Sequence, residues 1–172
     1  MIFSDPPIIG WYNLNGRQHI EPIVIQLRGF FMKDIIYFYY DSKKRLTFLV
    51  DKNGNRHSIE SKPIPVLKQI CLRYGTSLQG ARQSFSFLTG AKKKIPICVS
   101  VANQILFIPT LAESSEDCYY IQYNCIDCVK PTEIGCRVFF KCGQSLDLSI
   151  SFRTIQRQRS RCSIFFDQIM NH

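Results

Sequence analysis

Short apolar segments alternate with polar turns in the first third of the chain, the pattern of antiparallel strands. Asn15-Gly16 supplies the two positive-φ positions of a tight type I′ turn and predicts a hairpin over 11–25. The β-branched and aromatic segments 34–40, 45–50 and 56–59 predict a second hairpin followed by one more strand. This third of the chain is therefore predicted to be antiparallel sheet.

The period of the pattern changes near Pro65. Apolar residues recur at helical spacing from Pro65 to Tyr74, and Gly75 follows at the position of a left-handed cap, which predicts a first helix. The polar, glycine-punctuated segment 76–82 predicts a structured loop or a single turn, which could hold an arginine close to a backbone. Further strands are predicted at 84–89, 95–101, 104–109, 118–129, 136–141 and 146–151.

The last predicted element is a helix from Phe152 to Met170 with two different faces. Its apolar residues lie on one side, and Arg153, Arg157 and Arg161, spaced four apart, lie on the opposite side. No internal repeat, heptad array or proline- and serine-rich linker interrupts the chain. The sequence therefore predicts one α+β domain over 1–172, mainly antiparallel β-sheet with two principal helices.

Composition narrows the class of protein. The chain has 172 residues, of which 45% are hydrophobic and 20% charged, values that exclude a disordered or collagen-like chain. No apolar stretch approaches the roughly 18 residues of a membrane span, and the first residues lack a cationic signal-peptide start. We therefore expect a soluble protein that stays in the cytoplasm and has no membrane partner.

The positive charge is concentrated in two windows. Lysines and arginines number 22 against 13 acidic residues, a net charge of +9. No acidic residue occurs in 61–112 or in 148–166, although these windows hold seven and four basic residues. An acid-free basic surface is typical of proteins that bind nucleic acid. The alternative is that these residues form a solvated surface that is positively charged without binding any partner.

Catalytic and metal-binding signals are weak. The chain has only 3 histidines and lacks the common hydrolase, zinc-protease, Walker and dinucleotide motifs, so we expect no enzyme and no cofactor. Cys125 and Cys128 have the spacing of half a zinc site, with Cys118, Cys136 and Cys142 nearby. Side chains alternate along a strand, so those of Cys125 and Cys128 would point to opposite faces and could not bind one metal ion. Buried or surface thiols are therefore the favoured interpretation of these cysteines.

Nucleic-acid binding has the best support. Lysine and arginine neutralise phosphates, and Arg82 beside Gly80 is the leading candidate for entry into a narrow, AT-rich minor groove. The alternative is that Arg82 folds over its own domain and bonds to carbonyls. The 13 Phe and 8 Tyr could stack on single strands, although most lie in strand-like apolar segments.

Several collinear segments resemble the ComK family of bacterial competence transcription factors. They are 71–82 (CLRYGTSLQGAR), preceded by 62–64 (KPI) and followed by 94–97 (KIPI), 105–110 (ILFIPT), 118–121 (CYYI), the hairpin around Gly143 and the Ser151-Phe152 start of the last helix. The resemblance covers about 61–158. It implies a cytoplasmic, nucleoid-associated activator that binds paired AT-rich boxes, from the minor groove, as a homo-oligomer, working with RNA polymerase and controlled by a proteolytic adaptor.

The charge pattern and this resemblance together predict a duplex DNA-binding activator of DNA-uptake genes. Basic side chains would fix the register on phosphates, and Arg82 with the Gly80 loop would read groove width. The candidate DNA-binding residues are Lys68, Arg73, Ser77, Gly80, Arg82, Lys92, Lys93, Lys94, Arg153, Arg157 and Arg161. Two alternatives stay open: a single-stranded nucleic-acid or RNA-binding module, and a zinc-stabilised protein-interaction domain.

Overall fold

The computed structural model describes Ile23 and residues 26–171. The hairpin predicted over 11–25 lies outside the described residues except at Ile23. There, Ile23 and Gln26 are helical and the Leu27 N–H donates to the Ile23 carbonyl at 2.9 Å, so the predicted second arm does not reach Ile23 as a strand.

The larger sheet has six antiparallel strands in the order β3-β2-β1-β6-β5-β4. Its central pairing joins β1 to β6 with Tyr37 opposite Ile121, residues far apart in the chain. The strands predicted at 34–40, 45–50 and 56–59 are confirmed. The bounds are β1 Ile35–Asp41, β2 Leu46–Asp51, β3 Arg56–Ile59, β4 Ile97–Ser100, β5 Ile105–Pro109 and β6 Tyr119–Gln122.

A second sheet has three antiparallel strands, β7 Ile126–Thr132, β8 Gly135–Phe140 and β9 Ser145–Leu148. The single strand predicted over 118–129 is wrong, because a 3₁₀ turn at Tyr123–Cys125 separates β6 from β7 and moves the chain from one sheet to the other. The buried Gln122 side chain holds this turn by donating from Nε2 to the Lys33 carbonyl at 3.2 Å.

Within 27–171 three α-helices accompany the sheets: α1 Pro63–Arg73, α2 Leu78–Thr89 and α3 Phe152–Met170. The first and last confirm the two predicted helices. Helix α2 replaces the predicted loop or single turn at 76–82 and the predicted strand at 84–89. Both predictions are wrong, because one helix of 12 residues runs through the two segments. Ser77 caps α2 by accepting from the Gly80 N–H at 2.9 Å, and Leu78, Ala81 and Phe85 form its buried face. The aromatic residues of this segment favour a strand, but the i, i+3, i+7 spacing of its buried residues is that of a helix.

The six-stranded sheet is a central layer with a core on each face. On one face Phe38, Phe107 and Tyr120 lie in a cluster that includes the buried side chains of α1. On the other face Leu106 and Ile121 belong to a cluster that contains the buried residues of α3 and of the small sheet. The predicted α+β class with mainly antiparallel sheet is confirmed, and 27–171 contain three principal helices where two were predicted.

The turn after β2 is closed by Asp51. Its carboxylate accepts from the backbone N–H groups of Asn53 and Asn55, at 2.9 and 3.0 Å, and lies 2.9 Å from His57 Nε2. Burial raises the pKa of Asp51, but the hydrogen bonds from His57, Asn55 and Asn53 outweigh it and lower the pKa to about 2. The His57 ring in turn packs on Phe30 with ring centroids 4.6 Å apart.

Gly135, at the start of β8, lies against the backbone of β9. A Cβ atom at this position would be 2.0 Å from the Leu148 carbonyl oxygen, so only glycine allows the two strands to approach this closely. Within the part of the chain described, no helix is long and apolar enough to cross a membrane.

Candidate nucleic-acid interface

Two basic segments about 60 residues apart in the chain meet at one surface groove. The groove has a volume of about 490 Å³ and lies between the connection from α2 to β4 and the outer face of α3. Its lining residues are Gly90, Lys92, Lys93, Lys94, Thr154, Arg157, Gln158 and Arg161. We call this surface the basic groove. It brings together one group of cations from each acid-free window.

The lysine side of the basic groove is shaped by its backbone. Gly90 ends α2 in the left-handed region at φ +70°, and its N–H donates to the Ser86 carbonyl at 2.8 Å. Lys92, Lys93 and Lys94 follow and are exposed. Lys94 itself has φ +48°, a left-handed conformation that costs energy for a residue with a Cβ and must be held by its surroundings.

Gln158 on α3 provides that support. Its side chain is 3% exposed, and its Nε2 donates to the Lys94 carbonyl at 2.7 Å. Its Oε1 accepts a longer hydrogen bond from Arg161 Nη1 at 3.5 Å. The buried Gln158 amide therefore links the segment Lys92–Lys94, which we call the lysine loop, to α3, and it also contacts Arg161 on the arginine side of the basic groove.

The arginine side of the basic groove follows from the two faces of α3. Ser151 caps the helix by accepting from the Thr154 N–H at 3.2 Å, and Ile155, Cys162 and Phe165 turn one face into the core. The opposite face carries the predicted row of Arg153, Arg157 and Arg161. Arg157 and Arg161 line the basic groove, and Arg153 is exposed one turn before Arg157, outside its lining.

The electrostatics of the basic groove favour an anion. Its lining contains five cationic side chains and no carboxylate. The ion pairs found among the described residues involve none of these five cations. Positive charges held on a shared surface repel each other. A bound polyanion relieves that repulsion and releases its own counterions.

The other predicted basic residues lie elsewhere. Lys68 and Arg73 are on α1, where Lys68 is exposed and Arg73 Nη1 donates to the Leu27 carbonyl at 2.7 Å. Ser77 and Gly80 form the N-terminal cap of α2, and a Cβ at Gly80 would be 3.0 Å from the Ser77 Oγ. None of the four lines the basic groove.

Arg82 lies in α2 and not in a loop, which corrects the geometry on which its predicted role depended. Its guanidinium forms an ion pair with Glu113, and its side chain is 26% exposed. Burial lowers the pKa of Arg82, and the neighbouring Tyr120 and Cys71 oppose that effect. Arg82 thus folds over its own domain, as in the alternative interpretation, but its partner is a carboxylate. Its role as a reader of groove width stays a prediction.

Sequence reasoning missed Gln158. The signal was present, because Gln158 occupies a position on the apolar stripe of α3 between Ile155 and Cys162, where a buried amide requires a partner. The sequence could not supply that partner, since Lys94 is 64 residues away.

The eight cysteines are free thiols. Burial raises the pKa of Cys71 to about 11 and that of Cys98 to about 12, as expected for thiols among apolar groups. Among the described residues no group of three or more histidine, cysteine or acidic side chains is placed to hold a metal ion. The zinc alternative, built on Cys125 and Cys128, therefore has no ligand set in this part of the chain.

The fold and the basic groove define a small α+β protein with a surface suited to a polyanion. Comparison with known proteins gives the family: residues 33–171 match the model of the ComK protein family, and the chain belongs to it. A relative is the competence transcription factor of Bacillus subtilis (strain 168), 29% identical over 101 residues, which are 58% of this chain and 53% of that protein. The chain thus spans about half the length of this relative. No solved structure matches significantly.

Proposed function

We propose that this protein is a DNA-binding transcriptional activator of competence genes, and that it contacts duplex DNA through the basic groove. One observation carries the proposal: Lys92–Lys94 from the first acid-free window and Arg157 and Arg161 from the second line the same groove. Membership of the ComK family and the name of the B. subtilis relative support the same function.

The dimensions of α3 suit a phosphate backbone. Arg161 follows Arg153 eight positions later in the helix, so the row is about 12 Å long at 1.5 Å per residue. That length corresponds to about three to four base-pair steps of 3.4 Å along one strand. The lysine loop faces Arg157 and Arg161 across the basic groove. Contacts of this kind position the protein on DNA and carry no sequence information by themselves.

Specificity would come from DNA shape. A-tracts have a narrow minor groove with an enhanced negative potential that attracts lysine and arginine. We therefore propose paired AT-rich boxes, read from the minor groove, as the target. Paired boxes suit a homo-oligomer, and RNA polymerase and a proteolytic adaptor are the further partners that the family resemblance implies. Lys68, Arg73 and Arg153 would add phosphate contacts outside the basic groove.

Fluorescence anisotropy of the full chain tests the proposal. Three labelled duplexes are compared over a salt series: paired A-tracts, the same composition shuffled, and a GC-rich sequence. We expect tight binding to the paired tracts, with a logarithmic salt slope of about 0.9 per neutralised phosphate. Equal binding to all three would contradict shape-based specificity, and preference for unpaired oligonucleotides would favour a single-strand module.

A matched pair of variants locates the surface. Arg157→Gln removes one charge from the basic groove, whereas Lys43→Gln removes one from the exposed turn between β1 and β2. If the basic groove is the contact, Arg157→Gln lowers the salt slope by about 0.9 and Lys43→Gln leaves it unchanged. The same small effect of both variants would place the DNA elsewhere.

A further inference from the structure

Phe87 on α2 is an aromatic side chain left in solvent. It is 87% exposed, and among the described residues the only other exposed aromatic side chain is Phe31, at 69%. The remaining described phenylalanines and tyrosines are buried or half-buried. Single exposed apolar residues are common on proteins, so exposure by itself assigns nothing. The case for a binding role of Phe87 depends on its position in the fold and on the contacts that fix helix α2.

The helix that carries Phe87 is fixed to the helix that carries the arginines. Phe85, two residues earlier, is fully buried and stacks on Phe165 of α3 with ring centroids 4.8 Å apart. The last turn of α2 is closed by Thr89, whose Oγ1 donates to the Phe85 carbonyl at 2.7 Å, and then by the Gly90 cap. The backbone of Phe87 is therefore held in a fixed position relative to α3, while its ring stays in solvent.

The exposed face of α2 leads into the basic groove. Gln83, Phe87 and Gly90 are all exposed and are spaced i, i+4, i+7, so they share one side of the helix. Gly90 lines the basic groove, which places Phe87 about one turn beyond the end of that groove. No acidic residue lies in α2, so nothing on this face repels a phosphate backbone.

We propose that Phe87 is an apolar wedge that enters between stacked base pairs of the bound duplex, next to the cations of the basic groove. Gln83, one turn earlier on the same face, would contact the base edges or sugars beside the opened step. The inference rests on the proposed function, since the wedge needs duplex DNA seated on the basic groove.

Duplex DNA is the occupant that the charges favour. An apolar protein partner would meet five uncompensated cations beside Phe87, whereas DNA places its phosphates on those cations and offers the apolar faces of its bases to the ring. Proteins that bind the minor groove insert Phe, Leu, Ile or Met in this way and kink the duplex by roughly 20–90°. Partial unstacking costs least at flexible pyrimidine–purine steps such as TA, which occur in AT-rich sequence.

The test compares Phe87→Ala and Phe87→Leu with the wild-type chain and with Phe31→Ala, a matched control at another exposed phenylalanine. Because Phe87 is exposed, neither of its substitutions removes core packing, and circular dichroism checks the fold. The probe is an A-tract duplex with a central TA step, a fluorescence-transfer pair at its ends and 2-aminopurine at the step. Anisotropy gives the affinity, transfer gives the bend, and 2-aminopurine reports unstacking.

We expect Phe87→Ala to weaken duplex binding roughly 5- to 150-fold, the equivalent of the 1–3 kcal/mol lost when an aromatic that stacks on a base is truncated. The bend and the 2-aminopurine signal should be lost with it, while the salt slope stays unchanged because no charge is removed. Phe87→Leu should retain part of the bend, and Phe31→Ala should behave as wild type.

Three results would overturn the wedge while the proposed function stands: wild-type affinity and bend in Phe87→Ala, weaker binding without any change in bend, or an effect on single strands alone. Failure of the wild-type chain to bind the duplex would overturn the proposed function and the wedge together. The wild-type measurement therefore separates the two failures.

Discussion

The substitution Gln158→Leu tests whether the hydrogen bond between α3 and the lysine loop is required for the basic groove to bind DNA. It keeps the size of a buried side chain and the net charge of the protein, and it removes the 2.7 Å hydrogen bond from Gln158 Nε2 to the Lys94 carbonyl. Lys94 then holds its left-handed φ of +48° without its partner from α3. We expect the lysine loop to become mobile while the rest of the fold persists.

Two different losses follow from that change. A net hydrogen bond contributes about 1 kcal/mol to stability, and water can reach part of the exposed Lys94 residue, so the free energy of unfolding should fall by about 1 kcal/mol. That corresponds to about 2–4 °C in Tm for a chain of this size. Ordering the backbone of a mobile loop on DNA costs about 1–2 kcal/mol per residue, so duplex affinity should fall by at least about tenfold.

Thermal unfolding and anisotropy on the A-tract duplex measure the two losses separately. Gln168→Leu, an exposed glutamine on the same helix, is the control and should alter neither. If Gln158→Leu lowered Tm as expected but left duplex affinity within twofold of wild type, the fixed position of the lysine loop would have no part in binding. The reasoning about the basic groove would then be refuted.

Three further predictions concern stability. Arg82→Met and Glu113→Gln should each lower the free energy of unfolding by up to about 1 kcal/mol, because the pair is partly exposed, and the double variant should lose less than the sum of the two single changes. Stability should fall in acid as pH drops from the ordinary carboxyl pKa of 3.8 towards about 2, since the folded state holds the pKa of Asp51 low; Asp51→Asn should abolish this contribution. Gly135→Ala should destabilise by about 2–4 kcal/mol, because its Cβ would overlap the Leu148 carbonyl.

Each of these three stability predictions has a result that would contradict it. Additive effects of the Arg82 and Glu113 variants in urea titration would show no coupling between the two side chains. An unchanged acid transition in Asp51→Asn would assign acid unfolding to other carboxylates. A wild-type Tm for Gly135→Ala would mean that β8 and β9 separate at little cost.

Much of the fold was determined by local patterns in the sequence. Short apolar segments rich in β-branched and aromatic residues identified β1, β2, β3 and β5, because such side chains favour an extended backbone. The spacing of apolar residues identified α1 and α3, whose stripes face a core. Helix α2 was missed, since its aromatic residues favour a strand locally, while burial of Leu78, Ala81 and Phe85 on one face makes the segment helical.

The candidate site divides in the same way. The sequence alone determined that two windows carry positive charge without acid and that Arg153, Arg157 and Arg161 share one side of a helix, since both facts depend only on composition and a local period. Only the tertiary structure decided that Lys92–Lys94 lie beside Arg157 and Arg161, that Gln158 joins them, and that Arg82 pairs with Glu113. Those contacts join residues distant in the chain, and their partners are set by how the helices pack on the central sheet, which no local pattern encodes.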